Sequence, residues 1–106
     1  MTPKQYRKAA QRTRKGDLSR GMQVFNAALG LAGEAGEVVD GVKKTVFHGH
    51  EHSREKAIEE LGDVLYYLDW LAELAGTNIK EVMEANILKL TKRYPNGFNS
   101  ERSKNR

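Results

Sequence analysis

The sequence contains no cysteine, two prolines and one tryptophan in 106 residues. Without cysteine, disulfides and thiolate-metal sites are excluded, and a reducing cytoplasm is the expected compartment. No apolar run approaches the roughly 18 residues that suggest a membrane span. The opening MTPKQYRKAA also lacks the apolar centre of a secretory leader, so export is not expected. No stretch alternates apolar and polar residues in the manner of a half-buried strand. What remains is an ordinary balance for a globular protein, 39% hydrophobic and 30% charged, in a length that suits one domain with a modest core.

The formal net charge is +4, unevenly distributed. Lys4, Arg7, Lys8, Arg12, Arg14, Lys15 and Arg20 crowd the first fifth, Lys89, Lys92, Arg93, Arg102, Lys104 and Arg106 the last fifth, and the middle is acidic. Two basic ends around an acidic centre suit either a polyphosphate bridged to carboxylates by a metal ion or solvated helix faces.

Four helices are expected. Thr2 and Pro3 form a capping pair for a short first helix ending near Lys15-Gly16-Asp17. A second runs from about Arg20 to Phe47, with Phe25, Leu29, Ala32, Val38, Val39 and Val42 at three and four residue steps. The segment HGHEH, residues 48–52, breaks the pattern and reads as a connector. Ser53 caps a third helix, where Ile58, Leu61, Leu65, Leu68, Ala72 and Ala75 form a near-heptad stripe expected to be the clearest core element. Tyr66, Tyr67 and Trp70 read as core or subunit-interface aromatics, or as a surface for stacking a base. Asn78 and Glu81 pair as a cap for a fourth helix, terminated by Tyr94-Pro95-Asn96-Gly97. The fold class is therefore all-α, a bundle of four to five helices spanning residues 1–98. Residues 99–106 are polar enough to be expected as a disordered tail.

The stretch GLAGEAGEVVDGVKK, residues 30–44, carries Gly30, Gly33, Gly36 and Gly41 inside an apolar helical pattern. Each such glycine costs up to about 1 kcal/mol relative to alanine. Gly33, Gly36 and Gly62 immediately precede Glu34, Glu37 and Asp63, which suggests helix stability given up for close approach by another helix or a ligand. Glu34 and Glu37 leave one face of the second helix, and Glu60 and Asp63 repeat that spacing on the third. If these two central helices run antiparallel, the four carboxylates meet between them. Carboxylates held so close favour a hard divalent cation, Mg2+ first and Mn2+ second. The alternative is that the acids form ordinary surface ion pairs while the glycines permit tight core packing. A di-iron centre is disfavoured because Glu37 and Asp63 stand where its motif needs histidine.

With GLAGEAGEVVDGVKK, then EELGDVLYYL, then NILKLTKRYPNGF, the chain resembles the MazG-like branch of the all-α nucleoside triphosphate pyrophosphohydrolases over roughly residues 6–98. The resemblance implies Mg2+-dependent hydrolysis of a nucleoside triphosphate to the monophosphate and pyrophosphate, in nucleotide-pool control or house-cleaning. It implies Glu34, Glu37, Glu60 and Asp63 as metal ligands and Asn86, Lys89 and Arg93 as contacts to phosphate or nucleotide. Glu37 and the neighbouring Glu59 are candidates for the general base, Glu59 equally for a solvent-facing residue. Lys43 and Lys44 are further candidates for the phosphates. Gln23 and Asn26 are candidates for a base edge. His48, His50 and His52 read as connector rather than ligands.

A homodimer or homotetramer is expected, because the thin first helix and the widely apolar third leave more apolar surface than one bundle covers. Neither membrane nor nucleic acid is an expected partner. The rival from another class is a non-catalytic nucleic-acid-binding or adaptor bundle using the basic termini. It predicts salt-sensitive binding to DNA or RNA and indifference to loss of Glu34 or Asp63. A second rival keeps the metal as a structural ion without turnover.

Overall fold

The Thr2 hydroxyl accepts from the Gln5 amide while the Gln5 side chain accepts from the Thr2 amide, a capping box that starts α1, Pro3–Gln11. The computed structural model describes all 106 residues and contains four further helices: α2, Arg20–Phe47; α3, Arg54–Leu74; α4, Ile79–Arg93; and α5, Ser100–Lys104. Ser19, Ser53 and Asn78 cap α2, α3 and α4 through their side chains. No strand forms. The helical content and the expected starts of α2, α3 and α4 agree with the sequence. Differences lie at the ends. Helix α1 stops at Gln11, and residues 99–106, expected as a disordered tail, carry α5, because Asn99 accepts from the Arg102 amide and supplies a cap.

Helices α2 and α3 are the centre of the molecule, about 42 and 31 Å long at 1.5 Å per residue. They pack antiparallel: Arg20 reaches the Leu74 carbonyl, Gly30 meets the Tyr67 ring, and Gly41 meets the Glu60 carboxylate, so ascending positions on one helix meet descending positions on the other.

The buried centre is small and lies towards one end of this pair. Ala27, Trp70 and Leu74 form it, with Tyr66, Tyr67 and Leu71 packed against it. Tyr67 stacks on Trp70 at 6.4 Å and meets Tyr66 edge-on at 5.0 Å. Thus the aromatics act as core. The near-heptad stripe does so only in part: Ala72 is buried and Leu65 half-buried, but Ile58 is 52% exposed, Leu61 56% and Leu68 37% in the single chain. Helix α4 packs only lightly on α3, and the radius of gyration is 16.9 Å against about 13 Å for a compact domain of this length. A paired central hairpin with arms, rather than a closed bundle, leaves Ile58, Leu61 and Leu68 of that stripe uncovered.

Helix α1 is fastened to α3 by charge rather than by apolar burial. Asp69, 1% exposed, accepts from Arg7 Nε and Nη2 at 3.1–3.3 Å and from Arg14 Nη2 at 3.3 Å. Glu73 pairs with Arg14 at 2.9 Å, and Gln11 donates to it at 2.5 Å. Arg7 also donates to the Thr77 carbonyl at 2.9 Å, and Arg14 lies over the Trp70 ring at 5.4 Å. A buried carboxylate is tolerable only with such partners. Three of the N-terminal cations, Arg7, Arg14 and Arg20, are therefore internal fasteners.

Candidate functional site

Gly30, Glu34, Glu37 and Gly41 follow one another at four, three and four residues and so form a single stripe along α2. Both terminal glycines of that stripe touch α3. A Cβ at Gly30 would run into the Tyr67 ring, and one at Gly41 would stand 3.3 Å from Glu60 Oε2. The acids between them are thereby set along the α2–α3 seam. The antiparallel register, with Gly30 at Tyr67 and Gly41 at Glu60, puts Glu34 and Glu37 on the α2 stretch that runs opposite the α3 stretch from Glu60 to Tyr67, which carries Asp63.

Electrostatics report the same neighbours. The Tyr67 hydroxyl is pushed above its ordinary pKa, mainly by burial and then by the charges of Glu34, Tyr66 and Asp63. Lys44 is raised, chiefly by its hydrogen bond to Asp40, with smaller contributions from Glu37 and Glu60. Each acid of one helix thus shares a neighbour with an acid of the other.

No salt bridge engages Glu34, Glu37, Glu60 or Asp63. The reading of these acids as ordinary surface ion pairs is not what forms. By donor chemistry, unpaired carboxylates on two facing helices suit a hard cation. The side chains are not drawn together: no three Asp, Glu or His residues form a group that could hold a metal ion. Glu34 and Glu60 are half-buried, Glu37, Asp63 and Glu59 exposed.

Gly33, Gly36 and Gly62 have nothing within 4 Å of an added Cβ. The close approach expected at these three occurs instead at Gly30 and Gly41 of α2, and the three face open space.

Asp40 holds both candidate lysines, Lys44 at 2.8 Å and Lys43 at 3.3 Å. These hydrogen bonds, first to Lys44 and then to Lys43, hold the Asp40 carboxyl below the usual carboxylate range. Lys44 and Glu60 line a groove of about 220 Å³ closed at its far end by the 48–53 connector, with His50 and His52 on its wall. Lys89 and Arg93 line a separate cleft of about 690 Å³ between α4 and α5, which Asn86 does not line. Within one chain the α4 cations and the α2–α3 acids therefore belong to different concavities.

Sequence reasoning missed the Arg7–Asp69–Arg14 cluster and the packing of the Tyr67 ring against Gly30. A signal for the first was present: Asp69 interrupts the apolar run YYLDWLAEL, and a charge there requires a buried partner.

Among known families, the MazG nucleotide pyrophosphohydrolase domain matches residues 25–98. The "Gene 37 protein" of Mycobacterium phage L5 is 34% identical over 73 residues, covering 65% of this chain and 64% of that protein. The chain thus spans just under two thirds of that relative's length. No solved structure matches the chain.

Proposed function

This chain belongs to the MazG nucleotide pyrophosphohydrolase family, and from that premise we propose that it hydrolyses nucleoside triphosphates, ribo- or deoxyribo-, to the monophosphate and pyrophosphate. The reading is supported by one observation: acids free of salt bridges along two antiparallel helices whose approach is fixed at Gly30 and Gly41. Mg2+, with Mn2+ as substitute, is the proposed metal, and when bound it would neutralise phosphate charge and lower the pKa of water. Glu34, Glu37, Glu60 and Asp63 would hold it.

The remaining chemistry belongs to the chain. Water attacks phosphorus, the bridging P–O bond breaks, and pyrophosphate leaves with the bonding pair. The proton from water passes to a carboxylate, Glu37 or the adjacent Glu59. Lys44, steadied by Asp40 and lining the same groove as Glu60, offers a cation to the leaving phosphates, with Lys43 further out. Asn86, Lys89 and Arg93 contact phosphate or nucleotide from α4 of a second copy, since within one chain Lys89 and Arg93 line a different concavity from the acids. Tyr67, whose pKa burial and then the charges of Glu34, Tyr66 and Asp63 push further above its ordinary value, is a neutral hydrogen-bond donor at physiological pH.

Residues 1–98 act as the hydrolase unit, with α1 included because Arg7 and Arg14 fasten it to Asp69. A homodimer or homotetramer covers the exposed stripe of α3 and the exposed Val39, Val42 and Val46 of α2. Action in the cytoplasm on the nucleotide pool completes the reading. The non-catalytic nucleic-acid rival loses support at the N-terminal end, where Arg7, Arg14 and Arg20 are committed within the chain.

The test is turnover of a panel of nucleoside triphosphates with and without Mg2+. Glu34→Gln, Glu37→Gln, Glu60→Gln and Asp63→Asn are each expected to lower kcat by about a hundredfold or more with the helical signal intact. Turnover that survives these changes, or persists in a chelator, would refute the assignment.

A further inference from the structure

The family match ends at residue 98, yet a cleft of about 690 Å³ is walled on one side by Glu101, Arg102, Asn105 and Arg106. Tyr94 caps α4, and Gly97, at φ +91°, turns the chain back, a conformation that glycine takes without strain. The Tyr94 and Phe98 rings pack at 5.5 Å across this turn, and Arg102 Nη1 donates to the Arg93 carbonyl at 3.4 Å. Helix α5 is thereby laid against the end of α4.

The cleft between them, about 690 Å³, is lined by Lys89, Lys92, Arg93, Arg102 and Arg106 against one acid, Glu101. None of these five cations makes a salt bridge, whereas Arg7, Arg14, Lys43 and Lys44 all do. Five unpaired cations converging from two helices repel one another and invite a compact ligand of multiple negative charge. Arginines on the α5 side supply planar, fork-like donors matched to phosphate oxygens.

We propose that α5 is the second wall of a polyphosphate-binding cleft, in which Arg102 and Arg106, with Lys92, join Lys89 and Arg93 in binding a linear chain of phosphates. This rests on the hydrolase reading in taking the nucleotide triphosphate as the physiological source of that chain. The cleft's volume, about 690 Å³, suits a short polyphosphate better than an extended nucleic-acid backbone, which asks for a groove running along its length.

The experiment uses the full chain in a metal chelator and measures calorimetric binding of inorganic triphosphate, a nucleoside triphosphate, a nucleoside monophosphate and a single-stranded oligonucleotide. The proteins compared are wild type, Arg102→Glu/Arg106→Glu, Arg102→Lys/Arg106→Lys, and Lys80→Glu as a charge control away from the cleft. Both triphosphates are expected to bind more tightly than the monophosphate. The glutamate variant is expected to lose on the order of tenfold or more, the lysine variant to retain part of the affinity, and Lys80→Glu to match wild type. Binding of inorganic triphosphate alone assigns the cleft to free polyphosphate and overturns the nucleotide source. Equal loss in Lys80→Glu and the glutamate variant, or no loss in either, overturns the cleft itself. Preference for the oligonucleotide overturns it in favour of a nucleic-acid surface. Nucleotide turnover is read in parallel: a raised KM with kcat nearly unchanged is expected for the glutamate variant. If wild type turns over no nucleotide while triphosphate binding shows the expected pattern, the hydrolase reading fails and the cleft stands. Normal turnover with unchanged triphosphate binding in the glutamate variant has the opposite meaning.

Discussion

Replacing Gly30 by alanine adds a Cβ that would stand 2.5 Å from Tyr67 Cζ, with two other ring atoms closer still. The ring has little room to retreat, because it is held between Tyr66 at 5.0 Å and Trp70 at 6.4 Å. Overpacking of this kind costs about 1–3 kcal/mol, offset by the gain of up to about 1 kcal/mol from removing a helix-interior glycine. The net expectation is destabilisation of about 1 kcal/mol. Gly33→Ala in the same helix meets nothing within 4 Å and keeps the helix gain unopposed. One helix, two identical chemical changes and opposite signs are expected. At about 4–8 °C per kcal/mol for a domain of this size, thermal denaturation followed by circular dichroism should place Gly30→Ala below wild type and Gly33→Ala above it. In a Tyr67→Ala background the Gly30→Ala penalty should vanish. A Gly30→Ala protein as stable as Gly33→Ala would refute the claim that Gly30 exists to admit the Tyr67 ring and so to set the α2–α3 spacing.

The same geometry yields three more expected outcomes. Asp69→Ala leaves Arg7 and Arg14 without their buried partner and should lower stability by about 3–5 kcal/mol in urea denaturation; a loss under about 1 kcal/mol would show that α1 is fastened by something else. Tyr6 and Tyr67 have raised pKa values, both mainly through burial, with Asp69 the next cause at Tyr6 and Glu34 at Tyr67. The folded state therefore holds these protons more tightly, so this stability is present below about pH 10 and is lost as pH rises through the folded values. Tyr6→Phe/Tyr67→Phe should flatten the alkaline fall, and an unchanged slope would contradict the assignment. Asp40 should titrate by NMR below the ordinary carboxylate range, first because of Lys44 and then Lys43, and Lys44→Ala should raise it at least as far as Lys43→Ala does; a larger return from Lys43→Ala would reverse the order of causes.

Much of this fold was legible because its boundaries rest on local chemistry. Thr2, Ser19, Ser53 and Asn78 cap their own helices within three residues, and Gly76, at φ +80°, follows the end of α3. The spacing of Glu34 with Glu37 and Glu60 with Asp63 was equally local, and antiparallel packing was the one tertiary step needed to bring their two helices together. Burial was not legible. Leu61 and Leu65 look alike on a heptad, yet Leu61 is exposed because no arm of the chain returns to cover it. Asp69, the least apolar residue of its run, is nearly sealed because two arginines about 60 positions earlier arrive to pair with it. The glycines divide for a similar reason: α3 lies across the stripe of Gly30 and Gly41, while Gly33 and Gly36 are rotated off it.

The measurement that bears most directly on the proposed hydrolysis is the identity of the products when the purified chain meets a nucleoside triphosphate and Mg2+, resolved by phosphorus NMR. Nucleoside monophosphate and pyrophosphate in equal amounts, formed by wild type and not by Glu37→Gln, is the predicted result. Nucleoside diphosphate with inorganic phosphate, or no turnover of any nucleotide, would contradict it.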